Sequence, residues 1–588
     1  MDSTTNIRPS EPMDKKKSLQ ASIDEANIAA NLGDDELNEI GAECKAGFEA
    51  DLQSRSHWEE DLDEWTKLAM QVRETKSTPW SNASNVKYPL LSTAAMQFNA
   101  RAYPSLVPAD GKIVRGKTIG KDPTGEKGAK ADRVATYMSY QFMHEMDGWD
   151  EDMDRLLIML PIVGTVFKKT YWSGSVKSIA SELVLPKNLI VNNWASNLEQ
   201  AERVSEVIEM SQRVFEERKR QGLFLDVDLG TPTNETPNNT SRDSPARIDE
   251  TTPYFLIEQH GYLDLDDDGY KEPYIITFHK TTGKVVRITA RFEPDGIELD
   301  DKGEITKITA IQYYTKYSFV PNPDGSFYDL GFGVLLGPIN ETVNTLINQL
   351  VDAGTLSNLQ SGFIGKGLRL KIGDEKFKPG EWKPVASGGS DLKNQIIPLP
   401  TKEPSDVLFK LMGAMITSGK ELASVAEIFV GKMPGQNTPA TTTMATIEQG
   451  MKVFTAVYKR IYRALDKEFK KVYKLNGVYL NPETYVKVLD TQVGPADFDS
   501  ADYDVCPGAD PTAMSSTERL MKAQGLMEML PSFGPMMNPV EVLKRVLQAQ
   551  EQPNWESIVA PEVMASGQPP PPPPDPKKMA GQEKAKTQ

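Results

Sequence analysis

Two stretches of this sequence carry residue types spaced for chemistry. Gly111-Lys-Ile-Val-Arg-Gly116-Lys117-Thr118 has the GxxxxGK[ST] spacing in which backbone amides, a lysine and a hydroxyl cradle a nucleotide phosphate. That chemistry needs a buried strand before the loop and a helix straight after it, so that a helix N-terminus meets the phosphate. Val107-Pro-Ala-Asp-Gly precedes the match and Ile119-Gly-Lys-Asp-Pro-Thr-Gly follows, and neither flank has that character. The spacing reads as coincidence, and a nucleotide-binding protein is the rival it would support. The second stretch, Asp264-Leu-Asp266-Asp-Asp268-Gly269, sets carboxylates at alternate positions, as calcium loops do to converge on a hard cation. The twelfth position, where such a loop places a bidentate glutamate, is Ile275, and the flanks alternate like strands. An acidic hairpin turn is the favoured reading, and a non-helical cation site using Glu272 stays open.

Nothing else is spaced for catalysis. His57, His144, His260 and His279 are scattered without paired-ligand spacing, and no GxSxG is present. Cys44 and Cys506 are isolated, which supports neither a disulfide framework nor a cysteine metal site. No enzyme, no cofactor and no resident metal are expected.

The elements that must position any site follow from patterning. At 588 residues and 39 % hydrophobic content the chain calls for several subdomains of an α+β protein. Its net charge of −17 argues against coating nucleic acid and leaves only local basic patches. The longest apolar run, Leu156–Phe167, is about half of the roughly 20 residues a membrane span needs. Apolar periodicity predicts helices over 35–76, 91–103, 130–144, 150–160, 205–220, 515–530 and 539–550, with Pro104 and Pro108 closing the second. Strands are expected at 163–172 and 186–191, and a β meander over 254–320, punctuated by Asp268-Gly269, Thr282-Gly283 and Asp295-Gly296. Residues 228–249, rich in Thr, Pro, Asn and Ser, read as an exposed insertion.

Two long helical stretches are unusual. Over 330–360, Ile339, Val343, Leu346, Ile347 and Leu350 make one face, while Asn340, Asn344 and Asn348 fall at four-residue spacing on another. Over 403–476 a helix, a Gly/Pro/Thr loop and a second helix follow one another. The loop, 430–443, carries Lys432 as its only charge, so it has little to bury and is built to be exposed. In the second arm Ile447, Met451, Phe454, Tyr458, Ile461, Leu465 and Val472 form an apolar seam among many lysines and arginines.

Pro79-Trp-Ser-Asn-Ala-Ser-Asn-Val with Pro89, the run Leu157–Lys168, the helix Asn344-Thr-Leu-Ile-Asn-Gln-Leu-Val-Asp-Ala-Gly354, Gly435-Gln-Asn-Thr-Pro-Ala-Thr-Thr-Thr and Asp504-Val with Ala509-Asp-Pro511 resemble portal proteins of tailed bacteriophages. The resemblance covers about residues 35–550 in order. It implies a head-to-tail connector, a homododecameric ring at one capsid vertex of the virion, made in the bacterial host cytoplasm. Double-stranded DNA would pass through it in packaging and ejection. The partners implied are the terminase large subunit, major capsid and scaffolding proteins, and neck or tail adaptors, with no membrane.

Carried over by order, a flexible arm occupies 1–34, a β-rich/α wing 35–330, the first stem helix 331–360, a small α/β clip 361–402 and the second stem helix 403–428. A tunnel loop follows at 429–444, then the long helix and return to the wing over 445–509, a helical crown over 510–560 and a Pro/Lys-rich disordered tail over 561–588. Lys432, Gln436, Asn437 and Thr438 are expected at the constriction, and Asn340, Asn344 and Asn348 facing the channel, where amides would touch DNA without trapping it electrostatically. The rivals are a nucleotide-binding DNA-packaging protein and a capsid or tail protein without DNA contact.

Overall fold

The computed structural model describes residues 19–550 except 74–75, 109–110, 123, 175, 233–251, 267, 301–304, 360–361, 366–379, 381, 386–395, 399–402, 424–439, 481, 490–496, 499–502, 509–515 and 534–538. Within the arm expected to be flexible over 1–34, residues 19–24 are helical and Ile28–Asn31 is a short 3-10 turn, with Leu19, Ile28 and Ala29 buried in the core; then follow α1 (Asp34–Ser54), α2 (Ser56–Ala69), α3 (Leu90–Leu106), β1 (Val114–Thr118), α4 (Glu126–Tyr140) and α5 (Trp149–Val163). Strands β2 (Thr165–Ser173), β3 (Ser178–Val184), β4 (Leu189–Val191) and β5 (Val204–Met210) precede the short α6 (Gln212–Arg220). The meander is β6 (Tyr254–Leu263), β7 (Glu272–His279), β8 (Val285–Ala290), β9 (Phe292–Leu299), β10 (Ile305–Ala310) and β11 (Tyr314–Ser318). After α7 (Phe332–Asn358) come β12 (Gly362–Gly365), β13 (Trp382–Val385), β14 (Ile396–Pro398) and α8 (Asp406–Leu422). The long α9 (Ala440–Tyr479), α10 (Pro482–Leu489), β15 (Tyr503–Pro507), α11 (Ser516–Phe533) and α12 (Pro539–Ala549) complete an α+β chain.

These elements form two compact units. One comprises residues 1–101 with 146–475, the other 102–145 with 476–588. In the first, β4-β5-β6-β7-β8 make an antiparallel sheet and β11-β2-β3 a second. Helix α1 lays Ile40, Cys44 and Phe48 on the larger sheet, against a core that includes Ile257, Ile276, Phe278 and Ile288. Burial there pushes the Cys44 thiol up to about 12, so it has little thiolate character. Helix α5 ends at Gly164, whose φ of 86° and a would-be Cβ only 2.1 Å from the Asp329 carbonyl oxygen leave room for glycine alone. Strands β12, β13 and β14 form a small mixed sheet in which β12 pairs parallel to β13 and antiparallel to β14.

In the second unit β1 pairs antiparallel with β15, Val114 to Pro507 through Thr118 to Tyr503. Arg133 and Asp497 pair at 3.3 Å, Gln141 and Asn476 exchange reciprocal amide hydrogen bonds of 3.0 and 2.8 Å, and Tyr137, Tyr485 and Phe498 meet edge to face.

The helix expected over 205–220 is a strand through Met210 and a helix only from Gln212. Val204, Val207 and Ile208 are β-branched, and β4 and β6 on either side supply the ladder that outweighs local propensity. Pro104 lies inside the last turns of α3 and does not end it.

Candidate functional site

Helix α7 is where the sequence expectations meet a defined geometry. Its Asn340, Asn344 and Asn348 are 1, 6 and 6 % exposed, covered by the chain's own segment 84–91. Asn340 Oδ1 accepts the backbone N–H of Leu91 at 3.1 Å, Asn344 Oδ1 that of Tyr88 at 2.7 Å, and Asn348 Oδ1 that of Val86 at 2.7 Å. Asp352 Oδ1 extends the row by accepting Ser84 N–H at 2.8 Å. Asn348 also accepts from the Ser84 hydroxyl at 2.8 Å and donates to the Val86 carbonyl at 3.1 Å. The fit is metrical. Four residues of helix advance about 6 Å and two residues of extended chain about 6.6 Å, so the stripe holds every second amide at Ser84, Val86 and Tyr88 before the last step, of three residues, reaches Leu91 in the first turn of α3.

The amide face expected to line a channel is therefore an internal dock. Two of the five stretches that carried the family resemblance, Pro79–Pro89 and the Asn-bearing helix, bind each other. What α7 leaves to solvent is a different stripe with Val334, Glu341, Thr345 and Gln349. Its N-terminal half is fixed by Gly333, where a Cβ would stand 2.4 Å from the Trp65 ring.

Helix α8 packs one side against α7 and the start of α3, where a Cβ at Gly419 would stand 2.6 Å from Leu90 Cδ2 and 3.3 Å from Ile339 Cγ2. Leu408, Met412, Met415 and Ile416 are partly covered, whereas Val407 is 72 % and Phe409 61 % exposed, with Leu411 and Leu422 exposed as well. The apolar residues of α8 are split, half covered and half bare.

Helix α9 is held differently. Tyr458, Ile461, Leu465, Phe469 and Val472 are buried, and in the middle of that seam sits Glu468, fully buried. Its carboxylate accepts from Trp149 Nε1–H at 2.8 Å, from the Ser181 hydroxyl at 2.6 Å and from the Tyr317 hydroxyl, and lies 3.2 Å from Lys168 Nζ. Burial alone would raise this carboxyl, but the Lys168 charge and the three donors hold it below its ordinary value. One side chain thus ties α9 to α5, β2, β3 and β11.

Lys169, next along β2, points to the opposite face, as strand alternation requires. Its Nζ lies 2.7 Å from Glu206 and 2.8 Å from Glu258, and Tyr314 O–H donates to Glu206 at 2.8 Å. His260, 2.9 Å from Glu258, is depressed to about 4 by burial, with Arg291 and Lys169 adding to that and Glu258 opposing it. Three of the α9 bases are also occupied within the chain: Lys467 pairs with Glu199 at 2.6 Å, Lys470 with Asp466 at 3.0 Å, and Lys471 donates to the Thr315 hydroxyl at 2.8 Å.

The phosphate-loop spacing is not a phosphate loop. Residues 114–118 are strand β1, Lys117 is exposed, and the next helix starts only at Glu126. The first turn of that helix lies near Thr118, but Asp122 Oδ2 already accepts the Gly128 N–H at 2.8 Å, so the amides a phosphate would need are occupied, which speaks against the nucleotide-binding rival. Asp264, Asp266 and Asp268 fall in the β6–β7 turn with one oxygen of each within 4.8 Å of the others. Lys432, Gln436, Asn437 and Thr438 lie outside the described residues.

Residues 169–588, more than half of the chain, match the family described as Phage SU10 portal protein. The chain belongs to that portal family. No curated protein matches it significantly. Portal membership gives it a structural phage role as part of a ring at the capsid portal vertex, associated with capsid and DNA. None of its described helices is long and apolar enough to cross a membrane. The matched span covers the portal's α7, α8 and α9.

Proposed function

We propose that copies of this chain close into a twelve-fold ring that conducts double-stranded DNA during packaging and ejection and docks the terminase large subunit on one side and neck or tail adaptors on the other. The observation that carries this reading is the half-bare α8, with Val407 and Phe409 exposed on a helix whose other side is already packed. Exposed apolar patches of this kind mark interaction surfaces. In a closed ring every contact is head-to-tail, so a stripe without a partner in its own chain meets a different surface on its neighbour.

DNA has to slide, and dense positive charge would hold phosphates by counterion release. The exposed α7 stripe of Glu341, Thr345 and Gln349 carries no base and is the stem face that suits a lumen, in place of the buried asparagines. Residues 430–439, ending where α9 begins at Ala440 rather than at the expected 444, supply the tunnel loop, with Lys432 as its one charge and Gln436, Asn437 and Thr438 as hydrogen-bonding groups.

Negative-stain images of the purified protein test the ring. Particles with a central hole are expected; solid or fibrous particles refute it and favour a capsid or tail protein without DNA contact. Deleting part of 431–443 should leave rings intact and reduce packaged DNA, and loss of the rings would remove the loop assignment.

A further inference from the structure

The β6–β7 turn holds more than the three aspartates that the sequence pattern singles out. Two oxygens bound to one calcium ion at about 2.4 Å are at most about 4.8 Å apart. The Asp264, Asp266 and Asp268 carboxylates already stand within 4.8 Å of one another, inside the span a single ion allows.

Glu272 is the independent observation. It is the first residue of β7, paired across the hairpin with Leu263 at the end of β6. It is 1 % exposed, and neither Oε1 nor Oε2 has a hydrogen-bond partner. A buried carboxylate without a single donor is costly, because nothing replaces the water it has lost. Its partner Leu263 is the residue immediately before Asp264, so Glu272 stands at the mouth of the turn that carries the three aspartates. The one base in the stretch from Asp264 to Glu272 is Lys271, and Glu272 Oε1 and Oε2 remain without a donor.

We propose that Asp264, Asp266, Asp268 and Glu272 form a calcium site that closes the β6–β7 hairpin. The donor set is all carboxylate, without histidine or cysteine, which selects a hard cation. Calcium accepts irregular oxygen cages, whereas magnesium demands a near-ideal octahedron and keeps most of its water. The spacing also explains itself. A helical calcium loop takes its closing carboxylate from the twelfth position, here Ile275; this loop runs into a strand and takes it from the ninth. Gly269 in the sixth position has φ of 90°, the sharp turn that folds the aspartates back. Asp264 accepts the N–H groups of Asp268 and Gly269 at 3.2 and 2.9 Å, and Asp268 that of Tyr270 at 2.8 Å, which sets the loop without satisfying Glu272. Tyr270 in turn accepts the Ile308 N–H at 3.0 Å, so the site anchors β10 as well.

The test uses the full-length protein stripped with EGTA, titrated calorimetrically with CaCl2 and melted with and without 1 mM Ca2+, with Mg2+ as control. One calcium per chain and a rise in melting temperature of about 3 °C or more are expected. Glu272→Gln, a neutral isostere, should melt no lower than the stripped wild type and lose the calcium response. The Asp266→Asn/Asp268→Asn double variant, with Asp266 and Asp268 exposed in the turn, should fold normally and lose it too. No heat and no shift in the wild type overturn the proposal. So does a calcium response that survives in both variants, or a magnesium response of equal size.

Discussion

Helices α9 and α8 both carry apolar stripes, and the chain treats them in opposite ways. On α9 the stripe is covered along Tyr458, Ile461, Leu465 and Val472, and a carboxylate sits inside it with three donors and a lysine around it. On α8 half the stripe meets α7 and the rest, led by Val407 and Phe409, stays in water. A buried ion costs its hydration and is tolerated only when fully partnered, so the Glu468 hub marks a joint the subunit completes alone. In the proposed ring, bare valine and phenylalanine would mark a joint left to another copy.

The comparison can be broken most severely at the hub. Glu468→Ala strands the Lys168 charge in the core and should cost the unassembled subunit about 3–5 kcal/mol, read from chemical denaturation. A loss under 1 kcal/mol would mean that α9 is no better anchored than α8. The second effect is a pH dependence. The unfolded His260 imidazole protonates near 6.5 and the folded one only near 4, so between these values the unfolded chain binds the extra proton. Stability contributed by the neutral ring is therefore present above pH 6.5 and lost as pH falls through 4, by about 3 kcal/mol in all. His260→Gln should flatten that part of the profile, measured as denaturation midpoint against pH.

Asn348→Ala sharpens the comparison at α7, because it leaves the Val86 N–H without its acceptor; a loss of about 1–3 kcal/mol is expected. The smallest effect on the subunit should come from α8. Phe409→Ser should alter subunit stability by no more than about 0.5 kcal/mol, as exposed positions do, and yet lower the yield of rings in size-exclusion chromatography. Equal ring yield from wild type and variant would remove α8 from the subunit contact.

Long periodic helices were legible because their own spacing declares them: α7 and α9 lie where Ile339–Leu350 and Tyr458–Val472 place them. The meander was legible from alternation and its Gly turns. What local pattern could not carry was non-local pairing. Val204–Met210 has helical spacing on paper and becomes a strand because β4 and β6 flank it, and β1 finds its partner β15 nearly 400 residues later. At the site, the Asn stripe was visible and its meaning was inverted, since spacing shows a face but not what covers it. Glu468 was also in view, three residues after Leu465 and four before Val472, as a lone acid in an apolar seam. The clue to its partner was Lys168, a base ending the apolar run from Leu157.

The dock between α7 and segment 84–91 has a consequence for how a subunit is made. Ser84 and its acceptor Asp352 are 268 positions apart. At about 5–20 residues per second, the early segment waits on the order of ten to fifty seconds of synthesis before its acceptors leave the ribosome. A nascent chain that stops short of α7 keeps that segment without its acceptors, so the dock can close only after residue 352 has been made.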